Sequence, residues 1–141
     1  MNARSSFAIR TGAIAAGVAI AATVFGTGSA AATPVGEDGF VPGPACDHYS
    51  SRAKVIAESG QSAFVVCHRY NSAGDFYYRG LAKTNGNTVT VEDVTWQNGV
   101  YRAWNNGYTY TITPGNLTIV APNGAVVSNE ATYDYRFENY R

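Results

Sequence analysis

From Ser62 onward, β-rich apolar runs, several of them alternating apolar and polar residues, are interrupted at short intervals by Gly, Asn and Pro. Period two marks a strand with one packed face. Ser62 to Tyr70 predicts a strand that ends at the turn-former run Asn71 to Asp75. Further strands are expected over Phe76–Ala82, Thr88–Gln97, Val100–Trp104, Tyr108–Thr113, Leu117–Ala121, Ala125–Asn129 and a last segment within Thr132–Tyr140. Tyr108, Tyr110 and Ile112 alternate with Thr109, Thr111 and Thr113, which predicts one packed face and one threonine face. Tyr133, Tyr135 and Phe137 alternate with Asp134, Arg136 and Glu138 in the same way. Period 3.6 does not recur. Only Cys46–Glu58 admits a helical turn, with a strand over Ala53–Ser59 as the other reading.

The punctuation sharpens the topology. Asn85-Gly86, Asn98-Gly99, Asn106-Gly107 and Asn123-Gly124 each lie between strand segments. Asn and Gly tolerate the positive φ angles of type I′ hairpin turns. Consecutive tight hairpins force sequential strands to be antiparallel neighbours. The expected fold is therefore all-β: an antiparallel meander of about seven or eight strands forming a small barrel or sandwich.

The first 45 residues read differently. Arg4 and Arg10 precede an uncharged Ala-, Val- and Ile-rich run from Thr11 to Phe25, followed by small residues up to Ala32. A basic start, a short apolar centre and an Ala-x-Ala end form the pattern of a secretory signal peptide, so residues 1–32 are expected to be removed. The apolar run is too short for a membrane span, which needs about 20 residues. Three prolines and three glycines in Thr33–Pro44 suggest a flexible leader over residues 33–45, leaving residues 46–141 as a single domain. The expected compartment is outside the cell, secreted or loosely associated with the envelope. There the only two cysteines, Cys46 and Cys67, read most simply as one disulfide. A Cys/His metal set is disfavoured because Cys67 and His68 are strand neighbours facing opposite ways.

Composition narrows the function classes. Ten basic residues balance ten acidic ones in the whole chain, and losing Arg4 and Arg10 would leave a net charge of −2. Arg52, Lys54, Arg69, Arg79, Lys83 and Arg102 are spread along the chain, which argues against nucleic acid as a partner. Catalysis needs titratable groups that converge. Glu92 and Asp93 are adjacent rather than paired across a cleft, and no nucleophile motif such as Gly-x-Ser-x-Gly occurs. His48, His68 and Asp47, all near the cysteines, are the only candidates for a base or metal cluster. No cofactor, metal or enzymatic activity is expected.

Aromatic residues are the stronger signal. Tyr70, Tyr77, Tyr78, Trp96, Tyr101, Trp104, Tyr108 and Tyr110 fall in or beside consecutive strands. Tyr and Trp present flat apolar faces with a polar handle, which suits sugar rings and protein partners alike. Trp96, Tyr101 and Trp104 are the first choices for a binding patch, with an envelope glycan or an extracellular protein as the partner. Small size, a disulfide and rigid hairpin loops would equally suit an exported inhibitor of a protease or other hydrolase.

Val66-Cys67, Phe76 to Gly80, Val100 to Pro114, Leu117 to Ile119 and Val126 to Glu130 carry a resemblance. In these segments the chain resembles a loose group of small exported actinobacterial proteins and the extracellular tails of some actinobacterial serine/threonine kinases. The resemblance implies an envelope-facing binding module and transfers no catalytic residue. No kinase motif is present.

Overall fold

The computed structural model describes residues 34–139, so the expected signal segment lies outside the described residues. Eleven strands follow in chain order: β1 (Val35–Gly36), β2 (Gly39–Phe40), β3 (Ser51–Glu58), β4 (Ser62–Arg69), β5 (Phe76–Ala82), β6 (Thr88–Gln97), β7 (Val100–Asn105), β8 (Tyr108–Thr113), β9 (Asn116–Val120), β10 (Val126–Ala131) and β11 (Tyr133–Phe137). The Cys46–Glu58 ambiguity resolves into a turn followed by β3. Among the described residues no helix is long and apolar enough to cross a membrane.

β1 and β2 form a small hairpin. The other nine strands form one antiparallel sheet in the order β10-β9-β8-β7-β6-β5-β4-β3-β11. From β3 to β10 every neighbour in the sheet is a neighbour in the chain, as the hairpin signals require. The two strands at opposite ends of this order, β10 and β11, are separated in sequence by Thr132 alone. The segment Val126–Phe137 therefore serves both edges: its first half pairs with β9 and its second half with β3. Glu130, buried at 6% exposure, receives hydrogen bonds from Ser59 in the β3–β4 turn and from Ser128 on its own strand. The meander thus rolls into a nearly closed barrel, the alternative to a sandwich.

Turn chemistry follows the Asn-Gly prediction at two of the four sites. Asn98 and Gly99 have φ of 53° and 83°, and Asn106 and Gly107 have 51° and 82°, as a type I′ turn demands. At Asn85-Gly86 and Asn123-Gly124 only the glycine is left-handed, and the Asn side chain instead accepts the backbone N–H two residues on.

The barrel interior holds Val55, Phe64, Val66, Phe76, Tyr78, Val91, Tyr101, Ile112 and Leu117. A second apolar cluster lies on the other side of β3 and β4, where Phe40 and Cys46 pack on Ala53, Ile56, Ala63, Val65, Cys67 and Tyr77. It explains why β4 reads as a continuous apolar run rather than an alternating one. It also explains how Tyr77 and Tyr78, adjacent on one strand, are both buried. The Tyr77 hydroxyl sits 2.6 Å from Ser51 Oγ and accepts the Asp47 N–H at 2.8 Å.

Residues 34–45, expected as a flexible leader, supply this cover. Cys46 N donates to Asp38 O at 2.7 Å and Phe40 N donates to Pro44 O at 2.9 Å. The disulfide between Cys46 and Cys67 fixes the same layer to β4. Gly39 makes the close approach possible. At its φ of 139°, a Cβ would lie 2.5 Å from Pro44 O and 2.9 Å from Val65 Cγ1. Gly39→Ala is expected to cost about 1–3 kcal/mol and to lift the hairpin off the sheet. Faster proteolysis within residues 34–45, at unchanged barrel content by circular dichroism, is the readout.

The last segment departs from its pattern. A bulge between Asp134 and Arg136 inserts one extra residue in β11. Tyr135 consequently packs on the outer cluster, 5.9 Å from Phe40, whereas Phe137 packs inside, 5.9 Å from Tyr101. Period two predicted one face for both side chains, and the bulge separates them.

Candidate functional site

The barrel wall has two unlike halves. Outside β3–β5 the hairpin layer covers the sheet; outside β6–β10 the described residues leave it bare. Register defines what the bare half presents. Thr95 stands opposite Arg102, Arg102 opposite Thr111, Thr111 opposite Thr118, and Thr118 opposite Asn129. These five form one row across five strands, and none is buried. A parallel row places Trp104 opposite Thr109, Thr109 opposite Val120, and Val120 opposite Val126. Side chains within a row are about 4.8 Å apart, and positions two residues apart along a strand are about 6.8 Å apart. Asn116 Nδ2 donates to Thr118 Oγ1 at 2.8 Å, so amides and hydroxyls already orient one another there.

The three aromatics singled out from the sequence do not come together. Tyr101 is fully buried, and its hydroxyl donates to Glu138 O at 2.6 Å. Burial, with the Glu138 charge nearby, holds its phenol far above the ordinary value. Trp96 stands opposite Tyr101 on the neighbouring strand and packs against the barrel core. Only Trp104 faces outward, at 38% exposure. The cause is parity: Tyr101 shares its face with Ala103, and Trp104 shares its face with Arg102. Tyr78 and Tyr110 also line the interior with their rings 5.2 Å apart, and burial raises both phenols.

Arg102 is the residue the sequence reading passed over as a site. Arg52, Lys54, Arg69, Arg79, Lys83 and Arg136 each pair with a carboxylate. Arg69 and Arg79 also lie against the Tyr77 ring, at 4.4 and 4.9 Å from its centroid. Among the described residues Arg102 alone of the lysine and arginine side chains has no such partner. Its signal in the sequence was an arginine alternating with two apolar residues in a strand, the mark of an outward position.

The histidine cluster considered from the sequence divides between the two sides of the wall. His68 lies 4.9 Å from the Phe76 ring, and its pKa is lowered chiefly by burial and secondly by Lys54. Cys67, next in the chain, faces the outer layer instead. His48 is exposed, with Nδ1 at 2.8 Å from Asp38 Oδ2 and 3.4 Å from Glu37 Oε2. These three side chains bring their ligand atoms within 4.8 Å of one another, so Glu37, Asp38 and His48 are a set that could hold a metal ion. Asp47 instead pairs with Arg79 at 2.9 Å. Both cysteines are in the disulfide, which leaves no thiolate for a metal or for nucleophilic attack.

No family model, curated protein or solved structure matches the chain.

Proposed function

We propose that this domain is a non-enzymatic binding module that works outside the cell and holds an envelope glycan on the bare outer face of β6–β10. One observation carries the reading: the only exposed tryptophan among the described residues stands in one row with Thr109, Val120 and Val126, beside a row of threonine, arginine and asparagine side chains. An extended sugar chain offers apolar ring faces for Trp104 and hydroxyls for Thr109, Thr111 and Thr118. Such a site on strands is preorganised, so little ordering is needed on binding. The disulfide and the signal-like segment Met1–Ala32 support export, and the resemblance to exported actinobacterial proteins points the same way.

Co-sedimentation with insoluble cell walls of the source organism tests it. Saturable pelleting that a soluble wall fragment competes away is expected. Trp104→Ala should weaken it roughly tenfold, at a stability cost of about 1 kcal/mol or less. A protein that stays in the supernatant would sink the glycan reading and move attention to a soluble protein partner, such as a hydrolase to be inhibited.

A further inference from the structure

Resting on the glycan reading, we infer that the ligand is anionic: a polysaccharide whose carboxylate or phosphate is taken by Arg102 while a neighbouring sugar ring lies on Trp104. Arg102 is the one described lysine or arginine side chain without a carboxylate partner, although Asp47, Asp75, Glu58, Glu92 and Glu138 serve the other six. It occupies the middle of the outward row, with Thr95 and Thr111 directly opposite on either side. Neither threonine can neutralise it, and both can donate a hydroxyl to the same anion. Trp104, two residues along the strand, is on the same face at about 6.8 Å, close enough for one ligand to span both.

The planar guanidinium fits carboxylate and phosphate through paired N–H donors, and such charge-assisted bonds are about twice as strong as neutral ones. A neutral glycan could accept hydrogen bonds from the guanidinium but would leave its charge unneutralised. A protein partner could use it, but the row of Arg102 itself is hydroxyl and amide, and the apolar Trp104, Val120 and Val126 lie to one side of it rather than around it as at the centre of a protein interface.

Binding of the purified protein to three immobilised polymers tests this: polygalacturonate, its fully methyl-esterified form, and a glycerol-phosphate polymer. Polygalacturonate is expected to bind about tenfold or more tightly than its ester, with the difference shrinking as salt is raised. Arg102→Gln should remove the difference, weakening binding to polygalacturonate about tenfold and binding to the ester far less. Trp104→Ala should weaken both. Preference for the phosphate polymer over polygalacturonate would assign the acid as phosphate, and the reverse would assign it as carboxylate. Equal binding to acid and ester, or an Arg102→Gln variant that still discriminates, overturns the anion inference and leaves the glycan reading standing. Binding to none of the three also overturns it, and wall co-sedimentation then decides the glycan reading separately. Unchanged near-ultraviolet circular dichroism in both variants separates a lost contact from a lost fold.

Discussion

Tyr101→Ala is expected to destabilise the domain by about 3–5 kcal/mol, the range for removing a large aromatic from a packed core. The ring is fully buried and meets Phe76 at 5.4 Å and Phe137 at 5.9 Å. It therefore joins β5, β7 and β11 across the barrel, and a cavity there could not be filled from one side. Tyr101→Phe keeps the ring and loses only the bond to Glu138 O, for about 1 kcal/mol. Urea unfolding of the two variants, each followed by two probes, separates ring from hydroxyl. If Tyr101→Ala stays within about 0.5 kcal/mol of the parent, as surface positions do, the inward placement of this strand face is wrong.

Replacing both cysteines by alanine is expected to cost about 3 kcal/mol. Cys46 and Cys67 lie 21 residues apart in sequence, and a cross-link of that span removes about this much unfolded-state freedom. For a domain of this size the melting temperature should fall by roughly 15 °C. Local effects should exceed the global one in the hairpin layer, because the disulfide is the covalent tie between that layer and β4. Hydrogen exchange of the Cys46 amide, bonded to Asp38 O, should quicken more than that of the β7–β8 amides. Equal acceleration at both places would mean that the covalent link holds the barrel itself rather than its cover.

How far the chain could be read in advance depended on how local each determinant was. The meander was legible because each hairpin is specified by a few consecutive residues, as at Asn98-Gly99 and Asn106-Gly107, where both residues of the turn adopt positive φ. The cover over β3–β5 was not, because Pro- and Gly-rich sequence permits both a loose leader and a hairpin that presses closely on a sheet. The difference lies in long-range contacts such as Gly39 against Val65. The choice of Tyr101 as a surface residue followed from counting aromatics without fixing the face. Arg102 and Ala103 carried that information: an arginine marks the outside of its strand, so its two neighbours point in. The direction of Trp96 then follows from its register with Tyr101 across the Asn98-Gly99 turn. That Arg102 lacks a partner was not legible at all, since it depends on where six other cations find their acids.

The double service of Val126–Phe137 sets an order on how the chain can fold. Each pairing from β3 to β10 closes a short loop and can form as soon as its two strands exist. The pairing of Tyr133 with Glu58 spans the whole meander. Loop-closure entropy opposes that contact until the intervening hairpins have zipped and brought the ends near. The seam therefore closes last, as the kinetic bottleneck. Until it does, the outer edge of β3 remains an open template for pairing with another chain, so the unsealed intermediate is the species most exposed to aggregation.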